Sequence, residues 1–163
     1  MKSWMHVGLA ASAVLAGAWS AQAAEGSRVQ VRFLGDTSTY ADLGETDADR
    51  EANLSALTAV FQSLSSRLPA GHTLEIAVSD VNLAGELEWL RSAQRLRVMR
   101  NVGWPMVQLT YILKDGDRVL SQGEQRVADM AYLSTRPLGI ESQRLGYEER
   151  MLQHWLKGLL SPR

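Results

Sequence analysis

Residues 104–127 read WPMVQLTYILKDGDRVLSQGEQRV, and this segment predicts the start of the sheet around which the chain is built. Apolar residues alternate along its first half at Val107, Leu109, Tyr111 and Leu113. Such alternation is typical of a strand with one buried face. The turn-forming residues at 114–116, Lys-Asp-Gly, separate this strand from a second, weaker one. The segment therefore predicts a β-hairpin.

Two registers of this hairpin are open from the sequence. A three-residue loop with Gly116 in the left-handed conformation would set Leu113 opposite Asp117 and Leu109 opposite Ser121. A two-residue Asp-Gly turn would shift the pairing by one residue and set the apolar side of the first strand against Arg118, Leu120, Gln122 and Glu124. We prefer the first register, because a one-residue shift exchanges the two faces of a strand.

Two strands and a helix are predicted before the hairpin. Arg28 to Leu34 alternates strictly and predicts a half-buried strand, and His72 to Val81 predicts a second one. Between them, a helix is expected to begin near Thr46 or Asp47 and to end at Leu68, because Pro69 disfavours a helical conformation in the residue before it. Its apolar residues form one stripe at Leu54, Leu57, Phe61, Leu64 and Leu68.

The remaining elements complete an α+β fold. Arg95 to Val102 predicts a third strand, and Leu87 to Gln94 before it is interpreted as a mobile connection. A last helix is expected from about Gln143 to Leu160, with Ser142 as a candidate cap. We therefore expect a two-layer sandwich in the order β-α-β-β-β-β-α, with a mainly antiparallel sheet of about five strands packed against two helices.

The N-terminal residues predict export. Lys2 is followed by a short apolar run from Val7 to Trp19 and by the small residues of Ala21-Gln22-Ala23, which is the pattern of a cleaved signal peptide. The run is shorter than the roughly 20 residues that a membrane span needs. Residues 1–23 are thus a predicted signal peptide and residues 24–163 a single domain, periplasmic or, alternatively, secreted. A retained amphipathic anchor is the other interpretation.

Composition limits the classes of function. The chain has no Cys, so disulfides cannot stabilise it, and its formal net charge of −1 would become −2 on loss of Lys2. Such a balance gives no general attraction to nucleic acid or to an anionic membrane. Acidic residues are concentrated between Asp36 and Glu51, and arginines at 91, 95, 97 and 100. Those arginines are candidates either for an anionic ligand or for pairing with the acidic segment.

Several segments in order resemble the exported bacterial proteins of the domain of unknown function 3016 family. They are LPAG at 68–71, DVNLAGE at 80–86, WP at 104–105, DGDRVL at 115–120, DMAYL at 129–133 and YEERML at 147–152. The chain departs from the family pattern at Asn82, where a second acid is usual, and at Glu149, where Lys is usual. The resemblance implies an exported single domain and implies no reaction, cofactor or partner.

Candidate chemistry is concentrated between the second and third strands. Asp80, Asn82 and Glu86 offer oxygen ligands for a hard cation, although a carboxylate after a strand also ties down the backbone amides of the following turn. Trp89 is expected to be exposed. We predict no catalytic, cofactor or metal site. The predicted interaction surface consists of Asp80, Asn82, Gly85, Glu86, Trp89, Arg95 and Arg97.

The sequence thus predicts a non-catalytic binding module of the cell envelope. Its partner would be another envelope protein or an anionic envelope component, and no nucleic acid or transmembrane segment is expected after signal cleavage. The alternative is a small envelope hydrolase or transferase that uses Asp80, Glu86 or His154.

Overall fold

The structure is a computed structural model that describes residues 27–89, 95–134, 139 and 144–161. The predicted signal peptide and Arg91 lie outside the described residues. The elements are β1 (Val29–Phe33), α1 (Asp47–Ser63), β2 (His72–Asn82), β3 (Glu86–Trp89), β4 (Arg95–Val98), β5 (Met106–Asp115), β6 (Arg118–Ala128) and α2 (Gly146–Leu160). Short 3-10 helices lie at Thr37–Thr39 and Leu64–Arg67.

The strands form two sheets. A four-stranded sheet has the order β1-β2-β5-β6, in which β1 is parallel to β2 and the other pairs are antiparallel. β3 and β4 pair with each other as a separate two-stranded sheet. The α+β class is confirmed. The expectation of a mobile connection from Leu87 to Gln94 is wrong at its start, because β3 already occupies residues 86–89.

The core lies where the two helices cover one face of the four-stranded sheet. Val107, Leu109, Tyr111 and Leu113 of β5 are buried there with side chains from both helices. The helical contribution consists of Leu57, Val60, Phe61, Met151, Leu152 and Leu156. The ring of Trp155 meets that of Tyr111 edge to face, with centroids 5.7 Å apart. The apolar stripe predicted for the first helix therefore lies on its buried face.

The β5–β6 hairpin has a register that neither sequence interpretation predicted. Asp115 pairs with Arg118, so the turn consists of Gly116 and Asp117, and Gly116 has a φ of +55°. The pairing then shifts between Leu113 and Lys114, because Leu113 lies opposite Ser121 while Lys114 lies opposite Val119. One extra residue on β6 thus forms a bulge, which alternation along a single strand cannot reveal.

The two helices begin differently. α1 follows the prediction: Thr46 is its N-cap and forms a capping box with Asp49. α2 begins at Gly146, later than expected, and its N-cap is Leu145 in the left-handed conformation with a φ of 59°. The proposed cap at Ser142 is therefore wrong, although the position of Ser142 itself lies outside the described residues.

Candidate functional site

The connection between β2 and β3 consists of Leu83-Ala84-Gly85. Each of its three backbone amides donates a hydrogen bond to a different part of the chain. Leu83 N donates to Asp42 O at 3.1 Å, and Gly85 N donates to Gly103 O at 2.7 Å. Ala84 N donates to a side chain, the carboxylate Oε1 of Glu148, at 2.7 Å. These contacts fix the base of the β3–β4 hairpin to the rest of the domain.

Gly85 allows β4 to lie close to the connection. Its φ is +79°, a conformation that costs other residues about 1–2 kcal/mol. A Cβ at this position would lie 2.6 Å from the carbonyl oxygen of Val98 in β4. A side chain would therefore push the hairpin away from the connection.

Glu148 is a buried carboxyl group in the first turn of α2, with 2% of its surface exposed. Burial raises the pKa of Glu148, and the hydrogen bonds from the amides of Ala84 and of Glu148 itself partly oppose that rise. The charge of Arg97 also lowers its pKa, whereas that of Asp42 raises it. The carboxyl group therefore joins α2 to the hairpin base at an electrostatic cost.

Asp42 and Arg97 form a bidentate ion pair next to this carboxyl group. Arg97 Nη1 lies 2.8 Å from Asp42 Oδ2 and Nη2 lies 3.1 Å from Asp42 Oδ1. Nη1 also donates to Gly85 O at 3.0 Å. Two parallel bonds between a guanidinium and a carboxylate fix the orientation of both groups. Arg97 thereby ties β4 to the segment that precedes α1.

A small apolar cluster lies beside the connection, separate from the main core. Tyr132 and Tyr147 are buried with Ala84, and their rings meet edge to face with centroids 4.9 Å apart. Trp104 packs against this cluster, and its carbonyl oxygen accepts a hydrogen bond from Asn82 Nδ2 at 2.8 Å. This cluster fills the space between the hairpin base and α2.

The last contact of this region involves Arg150 of α2. Its guanidinium donates to Tyr132 O at 2.6 Å and to Asp129 Oδ2 at 3.0 Å. Four segments that carry the family resemblance thus meet at one place: residues 80–86, 104–105, 129–133 and 147–152. These segments are far apart in the sequence, so their order alone does not indicate that they are in contact.

The predicted interaction surface divides into anchored and exposed members. Asn82, Gly85 and Arg97 belong to the anchored base described above. Trp89 is 66% exposed, and the guanidinium carbon of Arg95 lies 4.1 Å from the centroid of its ring. Arg95 also forms an ion pair with Glu45. Glu86 is exposed. The pairing of arginines with the acidic segment, one of the two alternatives for these residues, is thus present for Arg95 and Arg97.

Asp80 has the contacts that a tethering role predicts. Its Oδ1 accepts hydrogen bonds from Ala41 N at 2.8 Å and from Val81 N at 2.9 Å. The carboxylate thereby ties β2 to the segment after β1. Within the described ranges, no group of three or more His, Asp or Glu side chains has the arrangement of a metal site.

The residues of the alternative enzyme hypothesis occupy different surroundings. Asp80 is engaged with the backbone of residues 41 and 81, whereas His154 lines an open groove between α2 and β6. Glu86 begins β3.

In the part of the chain that the structure describes, no helix is both long enough and apolar enough to span a bilayer.

Sequence reasoning missed Glu148, although a signal for it exists. Glu148, Leu152 and Leu156 follow each other in steps of four, so the carboxylate lies on the apolar face of its helix. A charged residue in such a position needs a partner in the core. The identity of that partner, a backbone amide in the connection after β2, could come only from the structure.

The fold and this site define a small α+β domain whose separate hairpin is held by a buried carboxylate. The sequence matches the family described as "Protein of unknown function (DUF3016)" over residues 27–158, and the chain belongs to that family. No curated protein and no solved structure matches the chain.

Proposed function

We propose that this chain is an exported, periplasmic protein that acts by binding another protein of the cell envelope and has no catalytic activity. One observation carries the proposal: Trp89 is 66% exposed on a hairpin whose base is fixed by Glu148 and Arg97. An exposed aromatic side chain offers a large contact area with few rotatable bonds, which is why tryptophan is enriched among residues that dominate protein interfaces.

The surroundings of Trp89 favour a protein over an anionic envelope component. Arg95 is paired with Glu45, and Arg97 with Asp42, so an anion would have to displace a carboxylate at either position. Leu96 of β4 is 53% exposed; it lies opposite Glu88 and so on the other face of the hairpin from Trp89, which lies opposite Arg95. Each face of the hairpin therefore carries one exposed apolar side chain, which suits the core of a protein interface better than a phosphate group.

The hydrolase or transferase alternative has less support. The carboxylate of Asp80 already accepts two backbone hydrogen bonds, and His154 is exposed on a different element. A nucleophilic side chain and the base that activates it lie within hydrogen-bond reach of each other. Within the described part of the chain, the side chains of Asp80, Glu86 and His154 make no such contact with one another.

The binding proposal is tested by comparing two variants that each truncate an exposed apolar side chain to Ala. Tagged wild-type chain, Trp89→Ala and Val119→Ala are used to capture proteins from periplasmic extract. Val119 is the control because it is also exposed, at 48%, but lies on β6. We expect a specific protein to be retained by the wild type and by Val119→Ala and lost with Trp89→Ala. Identical proteins on all three baits would overturn the proposal, provided that the variants melt with the wild type.

The location is tested separately by sequencing the N-terminus of the exported chain. Cleavage of the predicted signal peptide gives a chain that begins at Ala24, or at Glu25 if the site is one residue later. A chain that still begins at Met1 would contradict a cleaved signal.

A further inference from the structure

β6 has a free edge along the side of the main sheet. It is the outer strand in the order β1-β2-β5-β6, and Gln122, Glu124, Arg126 and Ala128 are all exposed. Every second residue of an outer strand directs its backbone N–H and C=O away from the sheet, so such an edge is able to pair with another strand. The opposite edge, β1, spans only Val29–Phe33.

The second half of β6 lacks two of the features that usually protect an edge, a bulge and a proline. Its bulge lies near the start of the strand, and residues 121–128 pair regularly with β5, from Ser121 opposite Leu113 to Ala128 opposite Met106. This half contains no Pro, whose missing N–H would prevent pairing. It is therefore a regular and accessible pairing edge.

Two charged residues decide which strand this edge would accept. Between Ser121 and Ala128 the charged residues are Glu124 and Arg126. Both lie on the face of the sheet opposite to α2, because Gln125 between them bonds Trp155 of α2 and Val127 is buried in the core. An antiparallel partner strand must present opposite charges at these two positions, since like charges directly opposite destabilise a sheet.

The chain supplies such a strand itself. In a two-fold antiparallel arrangement centred on Glu124 or on Arg126, identical charges would face each other. Centred on Gln125, Glu124 of each copy lies opposite Arg126 of the other, so that two complementary pairs form by symmetry. A shift by one residue to an off-centre register would place core-facing residues opposite solvent-facing ones.

We propose that two copies of this chain associate through antiparallel pairing of residues 122–128 of β6, centred on Gln125, to form one continuous sheet. A groove of about 800 Å³ lies between β6 and α2, lined in part by Gln125, His154 and Trp155. This groove leaves room, on the helix-covered side, for side chains of the second strand, whose backbone would lie beside β6 in the plane of the sheet. The surface is distinct from the hairpin with Trp89, so the dimer does not depend on the proposed binding function.

The test is a charge exchange measured by light scattering and sedimentation over a range of protein concentrations. The wild type is expected to form a reversible dimer. Arg126→Glu places like charges opposite each other at both pairs, so we expect the dimer to dissociate at least about ten-fold more easily. The double variant Glu124→Arg, Arg126→Glu restores both pairs in reverse and should return the dissociation constant to within about three-fold of the wild type.

Arg118→Glu is the matched control, because Arg118 lies on the same strand but outside residues 122–128. We expect this variant to leave the dissociation constant of the dimer unchanged. Each variant must melt with the wild type, which excludes unfolding as the cause. A wild type that stays monomeric at high concentration would overturn the proposal and leave this edge for a different protein. A dimer that is insensitive to Arg126→Glu, or that the double variant does not restore, would overturn the pairing centred on Gln125.

Discussion

The carboxylate of Glu148 and the backbone amide of Ala84 join the first turn of α2 to the connection between β2 and β3, at a distance of 2.7 Å. The two residues are 64 positions apart in the chain. The hairpin with Trp89 begins directly after this connection. The position of the hairpin therefore depends on a buried acid in α2.

Replacement of this acid is expected to change the pH dependence of stability. The pKa of Glu148 is raised in the fold above its ordinary value of 4.5, mainly by burial. Between these two pKa values the folded state binds more protons than the unfolded state, so the free energy of unfolding falls as pH rises through this window. Glu148→Gln should remove this fall, since the amide cannot ionise. Urea unfolding of the wild type and of Glu148→Gln between pH 4 and pH 8 measures the free energy of unfolding as a function of pH.

Glu148→Ala is the companion variant. It leaves the buried amide of Ala84 without its acceptor, at a cost of about 1–3 kcal/mol, whereas the Gln side chain keeps an acceptor oxygen. Glu148→Gln should therefore be the more stable of the two. An equal pH dependence in wild type and Glu148→Gln would show that this carboxyl group does not titrate as proposed.

The ion pair of Asp42 and Arg97 is expected to stabilise the hairpin base. Each group is about three quarters buried, with 25% and 21% of the side chain exposed, and each single Ala variant should cost about 1–3 kcal/mol. The double variant should cost about 1 kcal/mol less than the sum, because the second change removes a charge that the first has already left unpaired. The exposed pair of Glu88 and Arg100 serves as control, with an expected coupling below about 1 kcal/mol. Equal couplings for the two pairs would contradict a special role for Asp42 and Arg97.

Gly85→Ala is expected to be more costly than a conformational argument alone predicts. Gly35 and Gly85 have similar φ angles, +67° and +79°, but a Cβ on Gly35 meets nothing within 4 Å whereas one on Gly85 lies 2.6 Å from Val98 O. Gly35→Ala should therefore lose about 1–2 kcal/mol. Gly85→Ala should lose at least about 1–3 kcal/mol more through overpacking. Thermal unfolding of both variants measures the difference, and equal losses would contradict the close contact at Gly85.

The parts of the fold that the sequence predicted well are those with regular spacing. Leu57, Phe61 and Leu64 are buried as their spacing requires, and the alternation of Val107 and Tyr111 marks the buried face of β5. Such patterns report which face of one element is apolar. They do not report which strand lies next to it, because pairing depends on backbone groups that every residue carries.

The errors follow from that limit. The bulge in β6 adds a residue without changing its composition, so the register could not be obtained from alternation. The four residues of β3, Glu86–Trp89, alternate between polar and apolar side chains, but this is the shortest pattern that indicates a strand, and it directly follows the turn-forming Gly85. The predicted interaction surface includes Asp80, Asn82 and Gly85 near the connection after β2, but the residues that hold this connection in place, Asp42 and Glu148, come from distant segments.

Asp80→Ala separates a tethering role from a metal-binding role. The carboxylate Oδ1 accepts from Ala41 N and Val81 N, so its loss leaves two amides without their acceptor and should lower stability by about 1–3 kcal/mol. Asp80→Asn keeps an oxygen at this position and should lose less, because only the charge of the acceptor is removed. Thermal unfolding of the three proteins with and without calcium measures both effects. A variant that melts with the wild type but loses a calcium-dependent rise in melting temperature would contradict tethering, since a metal ligand and not an amide acceptor would then have been removed.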